Sequence, residues 1–285
     1  MKSPTHYLAA VRAQKHPARF ITARFLAKTG LSPLFRIRGE GFTLKFFPTA
    51  MSSLLWVDPE DRQEDTHFYR AYLREGDVVV DAGANIGHLA LLAATLIGKS
   101  GRVDAIEAHP LIARYLQKNV DLNNASHVHV HVTAVGSTPG AITFTDAASD
   151  DQNAVSTEGR GVTVPVTTLD SLLDSALTRV DLLKIDVEGY ELHALRGATA
   201  LLQRTACVYF ESWDHHCARY GTTAGDVIGL LEDSGFTVFN MDDEVLVRID
   251  RGHRSEKCEN LVAVRSVDQL SSRLTGPETR WRVTR

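Results

Sequence analysis

The sequence predicts an α/β protein in which a mainly parallel sheet carries helices on both faces. Short β-branched apolar runs alternate with longer helical patterns between residues 78 and 233, and this alternation is typical of βαβ units. The stretch "VVVDAGANIGHLAL", residues 78–91, joins the first such strand to its helix through two glycines. Three strand-like runs follow residue 235, so we expect antiparallel strands at one edge of the sheet.

Each element of the alternation has its own signal. β-branched and apolar residues fill the predicted strands, whereas apolar residues three and four apart mark the helices. Pro110 suits the first turn of its helix, and Thr168 is a suitable N-cap for the next. The predicted strands are residues 78–81, 103–107, 128–132, 182–186 and 207–211. The predicted helices are residues 86–96, 111–119, 169–175, 190–202 and 224–233.

Further strands are predicted outside this alternation. Residues 35–47 alternate around the turn at Gly39, Glu40 and Gly41 and predict a β-hairpin. The helix that follows, residues 64–73, ends at Gly76. A second hairpin pairs residues 142–145 with 162–166 across a polar loop, and the final strands are residues 236–239, 245–249 and 261–264.

The first 50 residues are strongly basic. From residue 1 to residue 48, nine Lys and Arg accompany the single acid Glu40, although the net charge of the chain is −4. Residues 6–29 indicate one or two short basic amphipathic helices, interrupted at Pro17. We expect them to pack on the domain or on a partner subunit of a homo-oligomer, with peripheral membrane contact as the alternative. No aromatic RNA-binding signature accompanies them, and no nucleic-acid partner is expected.

Composition indicates a globular protein of the cytoplasm. The chain is 44% apolar and 23% charged, as ordinary globular domains are. Its three cysteines form no CxxC pair, which favours a reducing compartment over a disulfide framework. No apolar run reaches about 18 residues, so no membrane span is expected. The N-terminus lacks the continuous apolar segment of a signal peptide.

The turn after the first predicted strand indicates a nucleotide-like ligand. Gly83 and Gly87 let the backbone turn sharply and approach a ligand closely. Glu107, 24 residues beyond Gly83 at the end of the next strand, is placed to accept hydrogen bonds from a ribose diol. Asn85 stands where a pyrophosphate would press, and Asp81 adds a negative charge. The turn therefore favours a ligand without phosphates that carries an amine and a sulfonium, namely S-adenosylmethionine.

A second group of polar residues surrounds the strand at 182–186. Lys184 interrupts an apolar strand and requires a carboxylate partner, which the neighbouring strand ends at Asp81 and Glu211 can supply. Its role is either charge neutralisation in the core or the positioning of acids beneath the ligand. Asp186 and Glu188 follow at the carboxyl end and are candidate general bases, or they orient the sulfonium and the acceptor without titrating.

Four sequence blocks carry a family resemblance. "VVVDAGANIG", "AIEAHP", "TTLDSLL" and "LLKIDVEGYELHALRGA" resemble, in order and spacing, the signature blocks of the FkbM family of S-adenosylmethionine-dependent methyltransferases. The match spans about residues 64–265. One block departs from the family, which commonly has Phe-Glu-Pro where this chain has Ile106, Glu107 and Ala108; the glutamate is retained.

The resemblance implies a class I methyltransferase fold: a seven-stranded, mostly parallel, Rossmann-like sheet with one antiparallel strand near its edge. The methyltransferase domain would span residues 51–270, between a basic helical and hairpin extension at 1–50 and a tail at 271–285. The resemblance also implies O-methylation of a sugar or natural product. The residues it assigns to the cofactor are Asp81, Gly83, Asn85, Gly87, Glu107, Ala134, Val135 and Asp186.

Candidates for the acceptor side are less specific. The long polar loop at 146–161 is placed to overhang the crevice, and its Asn153 and Ser156, together with Glu211, are candidate acceptor contacts. Catalytic candidates are Lys184, Asp186, Glu188 and His215; of the adjacent pair His215 and His216, only one can face a site on a helix. No metal is predicted, because spacing places no third ligand beside the paired acids.

Other functions remain open at this point. N-methylation of an amine or peptide uses the same cofactor. An NAD-dependent oxidoreductase or a non-catalytic module that retains the fold are alternatives of different classes.

Overall fold

The computed structural model describes residues 14–60, 63–144, 161–173, 177–242, 244–275 and 281–284. The strands within these ranges are β1 (Arg36–Arg38), β2 (Thr43–Lys45), β3 (Val78–Ala82), β4 (Arg102–Glu107), β5 (Val128–Val132), β6 (Ala134–Val135), β7 (Gly140–Phe144), β8 (Val162–Thr167), β9 (Val180–Ile185), β10 (Thr205–Ser212), β11 (Thr237–Asp242), β12 (Val245–Ile249), β13 (Glu259–Val264) and β14 (Arg282–Val283).

The α-helices of the same ranges are α1 (Pro17–Thr29), α2 (Ala50–Val57), α3 (Gln63–Tyr72), α4 (His88–Ile97), α5 (Pro110–Leu122), α6 (Leu169–Leu172), α7 (Glu191–Arg196), α8 (Thr199–Gln203), α9 (Asp214–Cys217), α10 (Ala224–Asp233) and α11 (Val267–Leu274). No helix among the described residues combines the length and the apolarity needed to cross a membrane.

The central sheet confirms the α/β prediction. Its strand order is β14-β12-β11-β13-β10-β9-β3-β4-β5. The five strands from β10 to β5 are parallel to one another, and β13 joins β10 in the antiparallel sense. From β3 the chain adds strands first on one side and then on the other, so the strand order reverses between β3 and β9. The crevice at such a switch point is where open α/β sheets bind ligands.

The sheet is wider than the seven strands that the resemblance implies. Nine strands are hydrogen-bonded in the described residues. The two additional strands are β12, which pairs antiparallel with β11, and β14, which pairs in parallel with β12. Both extend the edge that is remote from the switch point, so they leave the crevice unchanged.

The extension and the central sheet share one hydrophobic core. Phe42, Leu44 and Phe46 around the β1–β2 hairpin are buried in the same cluster as Phe68 and Leu91. The predicted boundary at residue 50 therefore crosses a continuous core and stays a prediction. At the other end, α11 runs across the predicted boundary at residue 270.

Some predicted helices differ from the structure. The helix predicted at 190–202 is two helices, α7 and α8, separated near Gly197. A Cβ atom on Gly197 would lie 2.0 Å from the carbonyl oxygen of Gly136, so a close tertiary approach occurs where the helix breaks. The helix predicted at 169–175 is a single turn at Leu169–Leu172; residues 174–176 lie outside the described ranges. Helices α2, α9 and α11 were not predicted.

Candidate active site

The turn after β3 fits tightly against the end of β9. Gly83 has φ +82°, and a Cβ atom on it would lie 1.8 Å from the backbone oxygen of Asp186. Gly87 has φ +92°, and its Cβ atom would meet Leu116 of α5 at 2.5 Å. Non-glycine residues rarely adopt such φ values, and here the space for a side chain is also absent. The two glycines therefore allow β3 to turn directly into α4 beside the crevice.

Glu107 closes one side of this turn. Its two carboxylate oxygens accept hydrogen bonds from the backbone N–H groups of Asn85, at 2.9 Å, and His109, at 2.8 Å. Burial raises the pKa of Glu107 to about 7, and the negative charge of Asp81 acts in the same direction. A carboxylate has about four acceptor sites, so the two backbone contacts leave capacity for a ribose diol.

Lys184 is buried beside Asp81, one of the two carboxylates that the sequence offers as its partner, and also beside Asp186. Its Nζ donates a hydrogen bond to the carbonyl of Gly83 at 2.7 Å. The same nitrogen lies 3.1 Å from Asp81 Oδ1 and 3.5 Å from Asp186 Oδ2. Lys184 therefore ties the turn after β3 to the end of β9 and offsets part of the negative charge beneath the crevice.

Asp81 retains hydrogen-bonding capacity toward the crevice. It lines the cavity. Its Oδ1 is in ion-pair contact with Lys184, whereas its buried Oδ2 has no hydrogen-bond partner in the described part of the chain. Buried carboxylates are normally satisfied, so Oδ2 fits the ammonium group of a ligand such as S-adenosylmethionine.

The far wall of the cavity is apolar and comes from two sheets. Ala134 and Val135 of β6 line it together with Ile106. Ile142 and Phe144 of β7, from the three-stranded sheet β6-β8-β7, complete this wall. Such a surface suits the adenine ring of the cofactor, which is the position predicted for Ala134 and Val135.

The acceptor side is formed by the turn after β9. Glu188 has φ 58° and Gly189 has φ +97°. Glu191, at the start of α7, holds this turn: its Oε1 accepts the backbone N–H groups of Val187 at 3.0 Å and Gly189 at 3.1 Å. A Cβ atom on Gly189 would lie 2.4 Å from the backbone oxygen of His216. The turn and α9 are thus in direct contact.

This contact brings together two carboxylates and an imidazole. His216 Nδ1 lies 3.3 Å from Glu188 Oε2 and 3.5 Å from Glu211 Oε2. Glu188 and Glu211 line the cavity, and His216 lies behind them. Burial raises the pKa of Glu188 to about 9, with Asp186 and then Glu211 adding repulsion. In the ligand-free protein Glu188 therefore binds a proton at neutral pH.

The structure places most of the predicted site residues around one cavity. Those that line it are Asp81, Gly83, Asn85, Glu107, Ala134, Val135, Lys184, Asp186, Glu188 and Glu211. Gly87 supports the turn from behind. His215 is exposed and packs against Trp213, so His216 is the histidine that reaches the cluster. Asn153 and Ser156 lie outside the described residues. The individual roles of all these residues stay predictions.

Several residues around the cavity were not among the sequence candidates, and two of them bear on its construction. Glu191 is buried and organises the acceptor-side turn, and its only sequence signal is its place in the block "EGYE". Met51 of α2 lines the cavity from the N-terminal side, and α2 itself was not predicted.

Comparison with known proteins identifies the family. A model described as the methyltransferase FkbM domain matches residues 81–238, more than half of the chain. This match includes the turn after β3, Glu107 and the whole acceptor-side cluster. The chain belongs to the FkbM methyltransferase family. It is therefore an S-adenosylmethionine-dependent methyltransferase, and the cavity described above fits that cofactor.

Relatives of known name agree with this family. The hexuronic acid methyltransferase AglP of Haloferax volcanii is 29% identical over 216 residues, which cover 73% of this chain and 85% of AglP. Methyltransferase 1 of Beauveria bassiana is 32% identical over 143 residues, or 42% of this chain and 57% of that protein. Among solved structures, the FkbM methyltransferase of Methylobacillus flagellatus has 18% identity and a TM-score of 0.43, covering 86% of this chain and 59% of the other.

Proposed function

We propose that this FkbM-family protein methylates a hydroxyl group of a small neutral acceptor, such as a sugar or a sugar-bearing natural product. The observation that carries the proposal is the cluster of Glu188, Glu211 and His216 at the acceptor end of the cavity. An alcohol is a weak nucleophile unless its proton is removed as the oxygen attacks, so O-methylation benefits from a base at this place.

Glu188 is the proposed base. It lines the cavity, and a carboxyl whose pKa is raised to about 9 is a stronger base, once ionised, than an ordinary carboxylate. Bound S-adenosylmethionine supplies an activated methyl group and a positive charge, which favours the ionised form of a nearby carboxyl. As the acceptor oxygen forms its bond to the methyl carbon and the carbon–sulfur bond breaks, the hydroxyl proton passes to Glu188.

His216 is proposed as a positioning residue. It does not line the cavity, but its Nδ1 faces both Glu188 and Glu211. A ring nitrogen at these distances from both carboxylates orients them relative to each other. We therefore expect His216 to hold Glu188 where it can accept the hydroxyl proton.

The charge of the cavity supports a neutral acceptor. AglP is named for a hexuronic acid, which is an anion at neutral pH. In this chain the acceptor end presents Asp186, Glu188 and Glu211; once the bound cofactor favours the ionised form of Glu188, Glu188 and Glu211 would repel an acceptor that carries another carboxylate. Similarity over 73% of the chain supports a carbohydrate class, whereas the local charge favours a member of that class without a carboxylate.

The test is turnover with a panel of neutral sugars, uronic acids and amino sugars, with product mass and fragmentation as the readout. Glu188→Gln should lose at least tenfold in turnover while keeping its affinity for S-adenosylhomocysteine. Glu244→Gln is the matched control, because Glu244 also has a positive φ of 63° and a histidine nitrogen, His67 Nδ1, at 3.4 Å, but it is remote from the cavity. Equal turnover for both variants would contradict the base assignment.

A histidine pair completes the test. His216→Asn should lower kcat while keeping the affinity for S-adenosylhomocysteine, whereas His215→Asn, in the exposed neighbour, should leave both unchanged. The second candidate function is N-methylation, because the same three carboxylates would attract an ammonium group. Product fragments that place the methyl group on nitrogen, with amino sugars as the preferred acceptors, would replace O-methylation by N-methylation as the function.

The cytoplasmic location stays a prediction.

A further inference from the structure

Exposed apolar side chains are concentrated near the N-terminus. Eight large apolar residues of the described ranges are exposed, and five of them lie between residues 21 and 35. These five are Ile21, Phe25, Leu31, Leu34 and Phe35, of which Phe25 is 60% and Leu34 74% exposed. Scattered single apolar residues on a surface need no explanation, but a cluster of this kind marks an interaction site.

The cluster is held outward by the packing of α1. Ala23 and Leu26, on the opposite side of this helix, are buried in the same core as Leu55 of α2. Ile21 and Phe25 are four residues apart and therefore share one face, away from the core. The helix is thus fixed through one side while a second apolar face remains in solvent. Gly30, with φ +70°, ends the helix and leads into the segment with Leu34 and Phe35.

Positive charge accompanies this surface. Residues 14–39 contain six Lys and Arg and no acid. Lys15 is engaged by Asp58 and Glu60, and the first acid that follows, Glu40, is paired with Arg70. Arg24 and Lys28 are exposed on the same side of α1 as the apolar side chains, since Arg24 is three residues from Ile21 and Lys28 three residues from Phe25. In a chain of net charge −4, this is a local excess of positive charge.

The combination of basic and apolar side chains indicates which kind of partner binds this surface. A nucleic acid would use the basic residues and could stack a base on Phe25, but it would gain nothing from the aliphatic side chains of Ile21, Leu31 and Leu34. A second copy of the chain, docked face to face, would bring like charges together. An anionic bilayer attracts Lys and Arg to its headgroups and accepts Phe and Leu into the interfacial region.

We propose that the basic apolar face, defined as Ile21, Phe25, Leu31, Leu34 and Phe35 with Arg24 and Lys28, binds anionic membrane surfaces peripherally. Helix α1 packs on α2, and Met51 of α2 lines the cavity. Membrane binding through this face would therefore hold the catalytic cavity near the bilayer, with helix α2 between α1 and the cavity. The surface is independent of the identity of the methyl acceptor.

The test is co-sedimentation of the full chain with vesicles of phosphatidylglycerol and phosphatidylcholine, compared with vesicles of phosphatidylcholine alone. Binding should require phosphatidylglycerol and weaken as salt is added. Phe25→Gln with Leu34→Gln should lower the partition coefficient at least tenfold. Arg24→Gln with Lys28→Gln should lower it about fivefold for each removed charge at low salt.

The matched control is Val247→Gln with Arg248→Gln, an exposed apolar and basic pair on β12; it should bind vesicles as the wild type does. All variants should bind S-adenosylhomocysteine normally, since none of the four N-terminal positions lines the cavity.

Absence of binding to phosphatidylglycerol vesicles would overturn the proposal. So would a dimer in sedimentation equilibrium that Phe25→Gln with Leu34→Gln dissociates while vesicle binding is unaffected. RNA retention that depends on the charges but not on Phe25 and Leu34 would assign the face to nucleic acid instead.

Discussion

Replacing Glu107 by Gln tests the cofactor assignment, because the substitution preserves the size of the side chain. Both oxygens of Glu107 accept backbone N–H groups, from Asn85 and from His109. A glutamine has one carbonyl oxygen and one NH2 group, so one of these N–H groups would face a donor. The variant should therefore lose one backbone contact of the turn and one acceptor for the ribose diol.

The magnitude follows from these two losses. A hydrogen bond to a charged group contributes about 1.5–3 kcal/mol, which corresponds to a loss of roughly 10- to 150-fold in cofactor affinity. Leaving one buried N–H unsatisfied costs a further 1–3 kcal/mol or so in stability. Both effects should appear in the same variant, because Glu107 serves the turn and the ligand together.

The pH dependence gives an independent readout. With a pKa of about 7 in the free protein, Glu107 must lose its proton to accept both ribose hydroxyls. The affinity of the wild type should therefore rise as the pH increases through 7 and level off above it. The side chain of Gln in the Glu107→Gln variant cannot titrate. The difference between the affinity curves of the wild type and the variant therefore isolates Glu107 from the other carboxyl groups of the cavity whose pKa is raised.

Isothermal calorimetry with S-adenosylhomocysteine between pH 6 and pH 8.5 measures both quantities, and urea unfolding measures stability. Asp104→Asn is the control: it removes another buried carboxylate of β4, one that pairs with Arg102 and His131 instead of facing the cavity. It should lower stability and leave affinity unchanged. Equal affinities for wild type and Glu107→Gln at pH 8 would refute the role of Glu107 in ribose binding.

Three further outcomes are expected. Gly83→Ala should abolish cofactor binding measured by calorimetry, since its Cβ atom would collide with the backbone oxygen of Asp186 at 1.8 Å; an alanine variant with normal affinity would show that the turn can move. Lys184→Met should destabilise the protein by about 3–5 kcal/mol in urea unfolding, because it leaves a buried carboxylate without its cation, and adding Asp81→Asn should restore part of this loss; purely additive effects would show that the pair is not coupled. The pKa of Glu188, raised to about 9, lies above its value in the unfolded chain, so the ligand-free protein should lose stability as the pH rises from 6 to 9, and Glu188→Gln should flatten that slope in the same unfolding experiment.

The cofactor half of the cavity could be predicted because it depends on strand ends. Asp81, Glu107 and Lys184 each lie at or near the carboxyl end of a strand that can be recognised from its apolar run. Once β3, β4 and β9 are neighbours, elementary sheet geometry brings those ends together. The pairing of Lys184 with Asp81 follows for the same reason, since a lysine inside an apolar strand must find a carboxylate on an adjacent one.

The acceptor half depends on contacts that leave little trace in sequence. Whether His215 or His216 reaches Glu188 and Glu211 is decided by the rotation of α9, a helix of four residues, which is too short for an apolar period to show its orientation. Contact with Gly189 fixes that rotation: the absence of its Cβ atom lets the backbone of His216 approach. Glu191 is similar, because its role is to accept two backbone N–H groups of the turn, and nothing in an isolated sequence distinguishes it from a surface glutamate.

Several carboxyl groups are concentrated around the crevice. This concentration explains both the raised pKa values of the site and the cofactor that it is expected to bind. In the ligand-free protein, burial and mutual repulsion raise the pKa of Glu107 to about 7 and of Glu188 to about 9, so protons neutralise part of the negative charge. A cofactor that brings an ammonium group and a sulfonium can replace those protons, whereas a dinucleotide would add the charge of two phosphates to the existing carboxylates. Asn85 in the turn is consistent with this preference, because its backbone N–H is already committed to Glu107 and is not available to a phosphate. The charge of the cavity thus favours this cofactor, and we expect the carboxyl that the cofactor ionises, Glu188, to be the base for the acceptor.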